Sequence, residues 1–204
     1  MIYFGQMRWD LKGMSFHDLW LAEGEEARQG IKTLENNLVQ HLYKVAGEQN
    51  VIVIGDLPSA EEFDRVAMGR LPMHEHLIFD PVWSLEEAFA VDVQGYFEDR
   101  FEMQLKKPKF LYYLQMAWDP RSRELDDCWE AIMNSLKDFE ECKILGAYRV
   151  AGQQRMIMII DVTKVDHLNM IANLPVLKSP NIEKVWALRE YRLFAEDVWK
   201  YYEV

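Results

Sequence analysis

The strongest constraint in this 204-residue sequence is that it repeats itself. Gln6-Met7-Arg8-Trp9-Asp10 returns as Gln115-Met116-Ala117-Trp118-Asp119, and Trp20 returns as Trp129 at the same spacing. Farther along, Tyr43-Lys44-Val45-Ala46-Gly47 returns as Tyr148-Arg149-Val150-Ala151-Gly152, Asp56-Leu57 as Asp161-Val162, and Leu71-Pro72 as Leu174-Pro175. Matches in this order mark a duplicated structural unit, and a duplicated unit is a folding constraint before it is anything else.

Both copies read as the same series of elements. In the first, Ile2–Met7 alternates like a strand. A helical stripe of Phe16, Leu19, Trp20, Ala27, Ile31 and Leu34 follows, with Ser15 as its cap. Strands are expected near 38–45, over 51–55 and over 77–83, with a helix opening at Ser59 and ending at Leu71-Pro72. The second copy predicts strands over 110–118, 144–150, 156–162 and 182–191, helices near 125–139 and 165–173, and a short terminal helix over 194–201.

Val51–Ile54 and Met156–Ile160 are apolar at successive positions, and successive strand residues face opposite sides of a sheet. Both faces must therefore be covered. The fold class expected is α+β: two ferredoxin-like βαββαβ repeats, each with helices on one face, forming an intrachain dimeric α+β barrel. The division expected is 1–84 for the first repeat, 85–109 for a connector, and 110–204 for the second repeat with its C-terminal extension.

Composition narrows the partners. Half the residues are apolar, which is ample for a core, and 34 acids against 23 bases give a net charge of −11. That balance argues against nucleic acid, which is held by clustered Lys and Arg, and against an anionic membrane surface. The N-terminus lacks a signal-peptide build and no run is apolar enough to span a bilayer, so a cytoplasmic protein is expected. Cys128 and Cys142 lack any metal or disulfide spacing. His74-Glu75-His76 spaces two imidazoles for a metal but offers no third ligand, so no metal and no cofactor are assigned.

The segment His41-Leu42-Tyr43-Lys44-Val45-Ala46-Gly47, with Asp56-Leu57-Pro58-Ser59-Ala60-Glu61 and Leu71-Pro72, resembles the muconolactone isomerase family, whose members are dimeric α+β barrels. That resemblance implies cofactor-independent acid/base isomerisation of a double bond in a small unsaturated lactone or carbonyl compound, of the kind met in aromatic-compound catabolism. It also implies assembly as homo-oligomers and a small-molecule substrate or ligand. Two other functions stand beside it: a non-catalytic ligand-binding or accessory protein on the same barrel, and a cofactor-independent monooxygenase.

A double-bond shift needs a base, an acid and donors to an enolate oxygen. His41, Glu26 and Glu23 are the catalytic candidates, the two acids because they adjoin the apolar stripe of the first helix, where burial raises a carboxyl pKa. Gln6, Trp9, Gln115 and Trp118 are the repeated polar and aromatic set for a substrate pocket, and Tyr43, Lys44, Tyr148 and Arg149 are candidate donors. Each has a plainer reading: a hydrogen-bonded core histidine, solvated glutamates, symmetric packing of the tryptophans, and capping of a turn.

Overall fold

A computed structural model of the chain describes residues 1–65, 74–90, 110–117, 127, 130, 134, 142–173 and 181–202. It divides into two compact units. The first comprises Met1–Ser84 with Arg189–Val204, the second Leu85–Leu188.

The first unit is a four-stranded antiparallel sheet with strand order β4-β1-β3-β2, made of β1 (Ile2–Trp9), β2 (His41–Val45), β3 (Asn50–Asp56) and β4 (Leu77–Phe79). Helix α1 (Phe16–Glu35) starts where the side chain of Ser15 accepts the amide of Asp18 at 3.1 Å, and it ends at Asn36 before Asn37 turns left-handed at φ 55°. A short helix α2 (Glu61–Arg65) sets Phe63 into the core. That core joins Tyr3, Ala27, Ile31, Leu42, Val51 and Val53 to Tyr191, Phe194, Ala195 and Val198.

The second unit has five antiparallel strands in the order β5-β7-β8-β6-β9. They are β5 (Trp83–Ala90, which begins in the first unit), β6 (Phe110–Ala117), β7 (Cys142–Val150), β8 (Arg155–Val162) and β9 (Asn181–Glu190, which ends in the first unit). Helix α3 (Asp166–Ala172) packs Leu168 and Ile171 on the face made by Leu114, Met116, Met156, Met158 and Ile160. The last helix, α4 (Tyr191–Tyr202), belongs to the first unit.

The repeated Val-Ala-Gly sequence makes the same hairpin turn twice. Gly47 and Gly152 sit at φ 78° and 72°, a region open to glycine at little cost, and Glu48 and Gln153 donate their amides back to the carbonyls of Val45 and Val150.

Two sequence-contiguous repeats are nevertheless not the organisation found. The first unit takes its last helix from the far end of the chain, and residues 85–90 of the expected connector are strand β5 in the second unit. The physical reason is local: Trp83, Leu85 and Phe89 alternate as a strand does, with a bulge between Glu87 and Phe89, and the acidic pair Glu86-Glu87 disguises it. The rest of the connector, Leu71-Pro72, Trp118, most of the helix expected near 125–139, and Leu174-Pro175 lie outside the described residues. Among the described residues no helix is long and apolar enough to cross a membrane.

Candidate functional site

Helix α1 buries seven residues, and two of them are glutamates, Glu23 and Glu26, one turn apart. Glu23 is 1% exposed and Glu26 5%. Carboxylates seldom enter a core unless something answers their charge. For Glu23, the indole N–H of Trp9 donates to Oε2 and the hydroxyl of Tyr191 donates to Oε1 at 2.8 Å. Burial pushes its pKa up, while the bonds from Tyr191 and Trp9 and the charge of Lys44 pull it down. Tyr191 itself is held well above the ordinary tyrosine range by burial and by Glu23, so its hydroxyl keeps its proton.

Lys44 stands on β2 beside this group. Its Nζ donates to the carbonyls of Val45, at 3.0 Å, and of Glu48, which ties the ammonium into the hairpin turn. Burial lowers its pKa and the charges of Glu23 and Glu48 raise it. Two of three ammonium hydrogens are used by these carbonyls, which leaves one for a further acceptor.

Lys44 lines a cleft of about 740 Å³ together with Arg8, Trp9, Phe16, Trp20, Arg189, Phe194 and the turn from Val45 to Asn50. The walls are aromatic and basic together. Trp20 meets Phe194 edge-on at 5.8 Å, and the Lys44 ammonium and Arg189 guanidinium lie 5.5 and 5.9 Å from the Phe194 ring centre. Arg8 is paired with Asp80 at 3.0 Å and Arg189 with Asp197, so Lys44 is the cation of the lining whose hydrogen-bond partners are neutral carbonyls. Trp9 is also a wall of a second cavity, about 40 Å³, shared with Glu23, Glu26, Met7, Leu42 and Tyr191.

The expected site residues thus separate into groups. Trp9, Glu23, Glu26 and Lys44 lie on the helix-covered face of the first unit's sheet. Gln6, His41 and Tyr43 alternate with Met7, Leu42 and Lys44 along β1 and β2 and so project from the opposite face. His41 Nδ1 is 3.0 Å from the Tyr43 hydroxyl, and burial drives its pKa to about 3, which holds the ring neutral. His41 and the other two catalytic candidates, Glu23 and Glu26, are not brought together: the sheet lies between them.

In the second unit Gln115 accepts from the Tyr113 hydroxyl at 3.0 Å and donates to Glu183 at 2.6 Å, and Arg155 donates to Glu183 at 2.8 Å. Tyr148 is fully buried with its pKa raised by burial, and Arg149 reaches Glu86 at 3.7 Å. Trp118 lies outside the described residues. Among the described residues no group of three or more His, Cys, Asp or Glu is placed to hold a metal.

Sequence reasoning missed Arg8, Arg189, Tyr191 and Phe194. The available signal was the amphipathic spacing of Tyr191, Phe194 and Val198, the helix face that fills the core of the first unit.

No protein-family model and no curated protein sequence matches the chain. Solved structures match in shape. A double mutant of the chlorite dismutase of Candidatus Nitrospira defluvii superposes with a TM-score of 0.62 at 11% identity, over 97% of this chain and 95% of that one. The same enzyme in complex with imidazole gives 0.61 at 11% identity over 97% and 94%. A mutant in complex with cyanide gives 0.60 at 10% identity over 97% and 94%. At such identities the likeness shows the fold alone.

The fold is that of the chlorite dismutases, and this overturns the muconolactone isomerase resemblance and the fold class of two ferredoxin-like repeats in a dimeric α+β barrel drawn with it. The double-bond isomerase function falls too, as do the alternatives of a non-catalytic ligand-binding or accessory protein on that barrel and of a cofactor-independent monooxygenase. The residues that carried the resemblance explain the error. Gly47 serves a left-handed turn and Pro58-Ser59 precedes a short helix, needs that unrelated families share.

Proposed function

We propose that the partner of this chain is a small organic anion with a flat apolar body, taken up in the cleft of the first unit. The observation that carries the reading is Lys44, a 5%-exposed ammonium with one hydrogen to spare, set among Trp9, Trp20, Phe16 and Phe194. A cleft of this size suits a small molecule, since ligand pockets run ~300–1,000 Å³. The rings offer stacking surface, and Lys44 supplies charge that a chain of net charge −11 does not offer generally. Arg8 and Arg189, already paired, shape the rim. A carboxylate, a sulfonate and a phosphate share the chemistry that Lys44 recognises. The same acidic balance disfavours nucleic acid, and the free, buried Cys142 supports a cytoplasmic setting.

Calorimetric titration with 2-naphthoate, 2-naphthalenesulfonate, inorganic phosphate and the neutral 2-naphthylmethanol tests this. Saturable binding of the aromatic anions is expected, weakened about 10- to 100-fold in Lys44→Met, the effect of losing one hydrogen bond to a charged group, ~1.5–3 kcal/mol. Equal binding of 2-naphthylmethanol, or unchanged binding in Lys44→Met, overturns the reading.

A second reading follows from one other observation. Chlorite dismutases are haem enzymes, and a shared fold does not by itself transfer a cofactor. The lining of the first unit's cleft does not fit a haem iron, having no His, Cys or Met among the described residues and a lysine already bound to two carbonyls. His167 on α3 does fit in its donor chemistry: its Nδ1 is buried without a hydrogen-bond partner, an imidazole nitrogen open to a metal. It would hold the iron, and a bound haem would supply redox chemistry there. A sharp Soret band on adding haemin, lost in His167→Ala, is the expected result; a spectrum equal to free haemin refutes it.

A further inference from the structure

The cleft and the buried carboxyl of Glu23 are neighbours through a shared wall. Trp9 lines the cleft and gives its indole N–H to Glu23 Oε2. Lys44 also lines the cleft, and its charge acts on Glu23. An anion bound to Lys44 therefore comes to rest in a cleft that shares Trp9 with the Glu23 carboxyl, which is 1% exposed. In so poorly solvated a place like charges repel strongly, and the cheapest relief is a proton.

Resting on the small-anion reading, we infer that binding of an organic anion at Lys44 is coupled to uptake of a proton by Glu23, so that the cleft binds its partner more tightly as the pH falls.

The groups that bear on Glu23 fix the direction of this coupling. From α1 itself comes Glu26, which lines the same small cavity; from β1 comes only the indole N–H of Trp9; from α4 comes the Tyr191 hydroxyl, which keeps its proton; from β2 comes the Lys44 ammonium. Glu48, on the turn, faces Lys44. Lys44 is the one positive charge of this set, and a bound anion takes up its field. The force left on Glu23 is then burial, which favours the protonated acid, against two hydrogen bonds that favour the carboxylate. Loss of the cation shifts that balance toward the acid.

The test is calorimetry of 2-naphthoate binding in bis-tris and in imidazole, whose heats of ionisation differ, over a range of pH in which naphthoate stays ionised. The wild-type protein should take up between zero and one proton per naphthoate bound, and affinity should fall with rising pH by a factor approaching about tenfold per unit at full coupling. Glu23→Gln should bind naphthoate with no proton uptake and a flat pH profile. Tyr191→Phe, which removes a bond holding the Glu23 pKa down, should move the fall in affinity to higher pH, and it decides the matter alone if Glu23→Gln does not fold. Binding with equal heats in both buffers overturns the coupling and leaves the anion site standing; so does proton uptake that survives in Glu23→Gln. Absence of naphthoate binding at every pH overturns the site itself.

Discussion

Tyr191→Phe isolates the bond that joins the last helix to the buried acid. The substitution removes one O–H, donated at 2.8 Å to Glu23 Oε1, and keeps the ring that meets Phe194 at 5.8 Å. Apolar burial is unchanged, so the loss is that of a hydrogen bond. Accepted by a carboxylate, such a bond is worth ~1.5–3 kcal/mol; accepted by a neutral carboxyl, ~0.5–1.5 kcal/mol. Burial raises the Glu23 pKa above its unfolded value, so between the two the folded chain binds more protons and stability falls as pH rises. Removing the Tyr191 donor raises that pKa further and extends the fall upward. Unfolding by urea, followed by tryptophan fluorescence, should then show Tyr191→Phe less stable by ~1.5–3 kcal/mol at pH 8 and by only ~0.5–1.5 kcal/mol at pH 5. At about 2–4 °C per kcal/mol for a chain of this size, the pH 8 difference is a readily measured shift in Tm. A destabilisation that is the same at both pH values would mean that Glu23 does not change its ionisation across that range, and the argument for proton-linked binding would fail with it.

Two further outcomes follow from geometry. Gly55→Ala sets a Cβ 2.7 Å from the backbone carbonyl of Leu38, which cannot swing aside, so a loss of about 1–3 kcal/mol in urea unfolding is expected and an unchanged midpoint would deny the close approach. His41, with its pKa lowered to about 3 by burial, must take on a proton to unfold in acid; stability should fall as pH drops through 6.5 toward 3, His41→Gln should flatten that slope, and a ring that titrates near 6.5 by NMR would contradict its burial.

Local features were legible in the sequence and long-range ones were not. The Ser15 cap, the turns at Gly47 and Gly152 and the continuous apolar runs of the buried strands depend on residues a few positions apart. Glu23, Glu26, Trp9 and Lys44 drew attention because acids beside an apolar stripe and a repeated tryptophan are conspicuous before any fold is known. Their joining through Tyr191 spans 168 positions, and Tyr191 reads in the sequence as the end of a strand when it is the first residue of a helix. The side of the sheet was the other hidden quantity. His41 and Lys44, three residues apart, project from opposite faces because strand residues alternate, and only the packing of α1 and α4 decides which face receives the carboxylates.

That packing carries an argument about purpose. Positions 23 and 26 of α1 sit between Leu19, Ala22, Ala27 and Ile31 in a face that Leu or Ala would fill with no desolvation to offset. Withdrawing a carboxylate from water costs several kcal/mol even after relaxation, and the hydrogen bonds from Trp9 and Tyr191 recover part of it by fixing two more polar groups in the core. A chain under demand for stability alone would shed the whole set. What the set provides instead is a carboxyl whose charge answers to that of Lys44, at the back of a cleft whose aromatic walls suit one class of molecule. The cost is localised where a bound anion would be sensed, and nowhere else on α1 does a buried acid occur.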